Sequence, residues 1–273
     1  MQRPRNAMEI FKLLEKSNCK KCGEKTCMAF AGAVFLAHRR LDECPKLSQE
    51  ALNQFAGKTP EHHDILEESS GDLLKKLKSD VAHLDLATAA ERVGGRFVDN
   101  KLTLKVLGRD FSVDTGGNLF SEIHINHWVA VPFLDYILHC QGVPISGSWI
   151  SFRELREGME RYPFFKKRCE EPMKRVADIY PELFDDIVHV FGGRRVDSRF
   201  QSDISVVLNP LPLVPVMICY WLPGEGMDSS LHVFFDKTAD RNLDVESVFT
   251  LSTGLAQMFE KIALRHGLAD AAS

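Results

Sequence analysis

The chain reads as an α+β protein: a small helical four-cysteine module, followed by a larger α+β domain whose mainly antiparallel sheet is flanked by helices. Three observations predict this. Cys19, Cys22, Cys27 and Cys44 crowd into 26 residues of a 273-residue chain. Beyond residue 95, short β-rich segments come in blocks separated by helical stretches, without the strict alternation of a doubly wound fold. The last of the long segments repeats apolar residues at helical spacing, at 248, 251, 255, 258, 259 and 262.

The module is taken as residues 1–57. Asn6 can cap a first helix that carries Met8, Ile10, Phe11, Leu13 and Leu14 on one face. The cysteine loop begins near Ser17-Asn18. Thr26 is a suitable N-cap for a second helix from Cys27 to about Arg40, and a third is expected over about 48–56. Gly57-Lys58-Thr59-Pro60 reads as a linker. The body, 61–273, opens on a polar helical stretch over about 61–93 that ends at Gly94-Gly95. Strands are expected at 96–98, 102–107 and 111–113, with turns at Asp99-Asn100 and Gly108-Arg109-Asp110. Helices follow at about 127–140, 152–160 and 163–191. Three more strands are expected at 204–208, 216–221 and 231–235, then a closing helix over about 245–266.

Composition narrows the functional classes. At 44% hydrophobic and 26% charged the chain resembles an ordinary soluble protein. Its longest apolar run, Ala29 to Ala37, falls far short of the roughly 20 residues of a membrane span. Residues 1–16 have no signal-like apolar core, so a cytoplasmic location without membrane insertion is expected. A net charge of −4 does not suggest nucleic acid as partner. The charge is uneven: residues 1–57 hold ten Lys/Arg against six Asp/Glu, and the remainder 24 against 32. A basic module on an acidic body can dock against it or steer a charged partner.

The cysteine pattern is Cys-x2-Cys-x4-Cys, sixteen residues, then Cys-Pro. Clustering of this kind points to a metal site in a reducing compartment rather than a disulfide framework. Thiolates suit zinc or iron–sulfur clusters. Four of them complete a [4Fe–4S] cluster, one per iron. Structural zinc more often uses two short Cys-x2–4-Cys knuckles, and here the second half has a single cysteine. Gly23 permits close backbone approach, the start of the helix at Cys27 presents free N–H groups, and Pro45 stiffens the exit. Lys20, Lys21 and Lys25 lie in the loop, and Phe30 and Phe35 can shield a flank. Spacing alone leaves both cofactors open.

The stretch from Leu14 to Leu47 resembles the [4Fe–4S] module of the corrinoid iron–sulfur protein large subunit. The matching blocks are Asn18-Cys19, Cys22-Gly23, Thr26 to Ala31 and Cys44-Pro45-Lys46-Leu47. It is also similar to a module in an iron–sulfur subunit of Rnf-type electron-transport complexes. The resemblance implies a [4Fe–4S] cofactor on Cys19, Cys22, Cys27 and Cys44. It further implies a carrier or accessory role in anaerobic, corrinoid-linked metabolism, with a corrinoid or other metalloprotein as redox partner. The cobalamin signature Asp-x-His-x-x-Gly is absent, and the pairs His62/His63 and His124/His127 lack its context. The body resembles a family known as a domain of unknown function, through Asp135-Tyr136-Ile137-Leu138 with Gly142, Trp149 to Leu155, Asp203 to Pro215, and Phe234-Phe235-Asp236.

No catalytic motif stands out in the body. Gly192-Gly193 and Gly224-Glu225-Gly226 lack a phosphate-loop context, and no Gly-x-Ser-x-Gly or His-x3-His occurs. Weaker candidates are a carboxylate group of Asp203, Glu225 and Asp236, an anion site at Arg194-Arg195, and a pocket between Trp149 and Trp221. Cys140, Cys169 and Cys219 are expected to be buried free thiols. An electron carrier or accessory protein is favoured over a stand-alone enzyme. The alternatives are a sensor or partner-binding protein with a structural cluster, and an enzyme with a substrate site in the C-terminal domain.

Overall fold

The computed structural model describes residues 7–35, 41–47, 64–197, 199–224 and 226–270. The expected third helix at 48–56, the 57–60 linker, His62, His63 and Glu225 lie outside them. The chain divides into two compact units, Met1–Asp72 and Leu73–Ser273.

In the first unit, α1 (Ala7–Leu13) and α2 (Cys27–Phe35) flank the cysteine loop, and a single 3₁₀ turn covers Leu41–Glu43. Ile10 and Leu14, one helical turn apart, pack with Phe30, Ala31, Val34 and Leu41. Cys27 is part of this core, and Cys22 and Cys44 pack against it. Among the described residues of this unit, seven are buried in its core, a size at which folds usually depend on a metal or disulfides.

The second unit is α+β with two antiparallel sheets. The expected polar helix is two helices, α3 (Asp64–Ala82) and α4 (Leu86–Arg92). Asp85 separates them because its carboxylate accepts the Ala87 and Thr88 N–H groups, a side-chain N-cap that restarts the helix. Strands β1 (Arg96–Val98), β2 (Lys101–Val106), β3 (Arg109–Asp114) and β4 (Leu119–Ser121) form the first sheet in that order. Asp99 and Asn100 both have positive φ, as a two-residue turn matched to strand twist requires. The β2–β3 turn falls on Leu107-Gly108, two residues earlier than its sequence cues suggest. Leu107 is buried and donates its N–H to the Asn209 carbonyl in the second sheet (3.1 Å). That long-range bond holds a non-glycine residue at φ 49°.

After α5 (His127–His139), the second sheet has the order β5-β9-β8-β7-β6: Trp149–Ser151, Ser230–Asp236, Val214–Trp221, Ile204–Leu211 and Arg194–Arg195. A bulge between Leu208 and Leu211 accommodates Pro210 and turns the Asn209 carbonyl toward Leu107. The central strands β7 and β8 are buried on both faces. One face, with Val216, Ile218, Tyr220, Val233 and Phe235, joins the main core. The other packs Val207, Met217 and Cys219 against Trp149, Trp221 and Phe234. Helices α6 (Gly158–Phe165), α7 (Glu171–Ile179), α8 (Leu183–Val190), the short α9 (Ala239–Asn242) and the long α10 (Val245–Asp270) complete the unit. A π-helical segment, Lys166–Glu170, joins α6 to α7. The expected helix at 152–160 begins as a 3₁₀ turn, because the Glu154 carboxylate turns back to the Ser151 N–H. Phe152 and Phe165 stack at 4.1 Å, with Phe235 and Phe249 edge-on around them. No helix among the described residues is long and apolar enough to cross a membrane.

One contact in α10 has a sharp consequence. A Cβ on Gly254 would lie 2.1–2.4 Å from the indole carbons nearest the Trp128 backbone. Gly254→Ala gains up to ~1 kcal/mol of helix propensity but overpacks the core, which costs typically ~1–3 kcal/mol. A net loss of stability with a red-shifted tryptophan emission is expected in a thermal melt followed by fluorescence. An unchanged melt and spectrum would mean the indole does not rest on α10.

Candidate metal centre

The four cysteines line one small cavity in the first unit, together with Leu14, Ser17, Thr26, Phe30 and the carboxylate residues Glu15 and Glu24. Cys27 is buried, and Cys19, Cys22 and Cys44 are half-buried. Local interactions place them. The Thr26 hydroxyl accepts the Ala29 N–H (3.0 Å), so Thr26 caps α2 and sets Cys27 as its first residue. The Asn18 carboxamide oxygen accepts the Cys27 N–H (2.8 Å), and the Asn18 N–H donates to Cys27 Sγ (3.3 Å). This reciprocal clamp folds the loop onto the helix. Gly23, at φ 85°, closes a turn by donating to the Lys20 carbonyl (3.0 Å). Lys16, Asn18 and Lys20 also have positive φ, so the loop is bent repeatedly around the sulfurs. Cys44 arrives from the 3₁₀ turn, donating its N–H to the Leu41 carbonyl (3.3 Å).

The Lys21 N–H favours the Cys19 thiolate and holds that thiol below its ordinary value, outweighing burial; the Ser17 hydroxyl and the Lys46 charge act in the same direction. Burial pushes Cys44 up, and the fields of Cys22, Cys19 and Cys27 add to this against the Lys46 N–H. Lys46 is held by Glu15 at 2.9 Å. Among the described residues, no three His, Cys, Asp or Glu side chains gather around a point that one metal ion could occupy. The four thiols line one shared cavity, and four thiolates are a donor set that suits an iron–sulfur cluster. Phe30 is buried at its flank, whereas the side chain of Phe35 lies outside the described residues. Asn18 was legible only as part of a flanking match; its amide chemistry at the loop start was the available cue.

The body candidates are not brought together. Asp236 is fully buried at the end of β9, and its carboxylate accepts from Ser146, Gly147 and Thr238. Asp203 accepts the Leu222 N–H at the opposite end of the sheet, about 20 Å away by six residues of strand. Arg194 and Arg195 are exposed, and Arg195 pairs with Asp185 at 2.6 Å. Trp149 and Trp221 pack on the same sheet face. Cys140, Cys169 and Cys219 are buried, and burial pushes the Cys169 and Cys219 thiols up. His124 is exposed, while burial lowers His127 below the usual imidazole range.

Residues 14–46 match a family model described as "Putative Fe-S cluster". This supports an iron–sulfur cofactor for the four-cysteine site. The chain is 51% identical over 43 residues to the acetyl-CoA decarbonylase/synthase complex subunit gamma of Methanocaldococcus jannaschii, covering 16% of this chain and 9% of that protein. It is 44% identical over 48 residues to the corrinoid/iron-sulfur protein large subunit of Moorella thermoacetica, covering 18% and 11% respectively. The chain thus spans about a tenth of the length of the curated relatives it matches. No solved structure matches it. A second family model matches residues 85–258, well over half of the chain, and the protein belongs to that family, the domain of unknown function DUF3786.

Proposed function

We propose that this is an iron–sulfur protein whose Cys19, Cys22, Cys27 and Cys44 hold one [4Fe–4S] cluster, in an N-terminal module over 1–57, and that it carries single electrons or serves as a redox accessory factor. The observation that carries this reading is that all four cysteines line one cavity. When bound, such a cluster supplies one-electron redox chemistry. The chain's own part is to bind it through four thiolates, to direct the Asn18 N–H at Cys27 Sγ, and to shield its inner flank with Leu14 and Phe30. Hydrogen bonds to cluster sulfurs and solvent exposure set the potential. Half-buried Cys19 and Cys22 leave the loop side open for electron exchange. The relatives are, by name, subunits of a complex and a corrinoid protein. Their similarity over a module-sized stretch supports a metalloprotein partner, a corrinoid protein among the candidates, in cytoplasmic anaerobic metabolism.

The test is iron and acid-labile sulfide analysis of anaerobically purified full-length protein, with its absorption and reduced-state paramagnetic spectra. About four iron and four sulfide per chain with broad absorption near 400 nm are expected. Stoichiometric zinc without iron would overturn the reading. The small core of the first unit favours a second reading, in which the cluster is structural and the body recognises a partner. That reading predicts loss of partner binding on cluster removal and no electron transfer to soluble acceptors. An enzyme with its substrate site in the 61–273 body would instead show turnover independent of the cluster.

A further inference from the structure

One open cleft lined by described residues of the second unit has a volume of about 560 Å³. It lies between the β2–β3 turn, the segment before α5, the end of α8 and the outer half of α10. Its walls are apolar, from Trp128, Val190, Phe191 and Met258, and its rim carries Arg109, Lys261, His124 and Glu122. An apolar cleft with a few convergent polar groups is the usual form of a small-molecule site. We infer that this cleft binds a small organic anion with a flat apolar body, the body against Trp128 and the charged group toward Arg109 and Lys261.

Three observations carry this. First, Trp128 is a fixed platform: its ring sits directly on the backbone of α10 where Gly254 lacks a side chain. Second, the apolar wall reaches solvent, since Val190 is 44% exposed at the end of α8. Third, the rim cations are not consumed by neighbouring carboxylates. Asp110 is held by Arg96 and Lys105, and Glu260 by Arg175. Among the described residues neither Arg109 nor Lys261 has an ion-pair partner. Two cations, Arg109 and Lys261, against the one Glu122 carboxylate leave the rim net positive, and an anion in a partly desolvated cleft gains from that field. This site is independent of the cysteine centre.

The probe is 8-anilinonaphthalene-1-sulfonate, an aromatic anion, titrated into full-length protein by fluorescence, with neutral Nile red as comparison. Saturable binding of one sulfonate per chain is expected. Arg109→Glu and Lys261→Glu should each weaken it about fivefold or more, the scale of a screened unit charge a few ångströms away. Glu122→Gln should tighten it. All three residues are exposed, so the variants should keep the parent melting temperature, which checks that the fold is intact. Weaker binding in Glu122→Gln, binding indifferent to all three changes, or Nile red bound equally well at the same stoichiometry would each overturn the assignment.

Discussion

Cys27→Ser is expected to leave the purified protein with little or no bound iron and without absorption near 400 nm, while the second unit stays folded. Cys27 is the most interior of the four thiols, buried at the first position of α2. It is also the one whose backbone N–H and sulfur are both engaged by Asn18. A serine oxygen is a harder, less acidic donor than a thiolate and does not replace it at iron. On the proposed assignment, loss of Cys27 would leave one metal corner without a protein donor, and it loosens the packing of the small core among the described residues. Asn18→Ala keeps all four thiols but removes the side-chain acceptor of the Cys27 N–H. It should retain cluster at reduced yield, with a shifted reduction potential. Cys169→Ser is the control: Cys169 is buried in the body and donates to the Ser252 carbonyl, so iron content should be unchanged. Full iron content in Cys27→Ser together with loss in Cys169→Ser would refute the ligand assignment.

Asp236→Ala is expected to destabilise the body strongly, by about 2–3 kcal/mol, the scale of losing hydrogen bonds to a charged group. That is a large share of the roughly 5–15 kcal/mol of a typical domain. Asp236 is fully buried and accepts from the Ser146 N–H and hydroxyl, the Gly147 N–H (2.7 Å), and the Thr238 N–H and hydroxyl. It thereby anchors the strandless segment 141–148 to the end of β9. Burial by itself raises the carboxyl pKa, but these donors outweigh it, and the net shift is downward. With the folded pKa depressed, the stabilisation is fully present above the unfolded value of roughly 3.9 and is lost as pH falls through the folded pKa. Urea midpoints of the parent and Asp236→Ala should therefore differ most at neutral pH and converge in acid. Asp236→Asn should also destabilise, since its NH₂ group would meet an N–H donor. Equal midpoints at pH 7 would rule out the anchoring role.

Much of the local structure was legible. The cap at Thr26, the turn at Asp99-Asn100 and the first strands follow from spacing and turn chemistry within a few residues. The misread parts share a cause. The helical stretches expected at 61–93 and 163–191 are helical, but each is divided, the first at Asp85 and the second into the end of α6, a π segment, α7 and α8. Strands β4, β5 and β6 have two or three residues, too few to show alternation, and exist because partners are supplied from elsewhere. The Asp203, Glu225 and Asp236 group was drawn from carboxylates near strand ends, a cue that does not say which end of a sheet a residue occupies. Strand order puts Asp203 and Asp236 at opposite ends.

The sequence by itself determined that four thiols stand at a spacing one loop and one helix can gather, with Gly23 and Thr26 in place to do so. It also determined the α+β class through its periodicities. The tertiary structure alone decided that the strands form two sheets, that Asp236 is a buried anchor, and that Trp128, Arg109 and Lys261 meet in one cleft. The physical reason is distance along the chain. Ligand spacing and caps act over a few residues, where covalent geometry carries the information. Asp236 meets Ser146 across 90 residues and Trp128 meets Gly254 across more than a hundred, contacts that exist only once the core between them has packed.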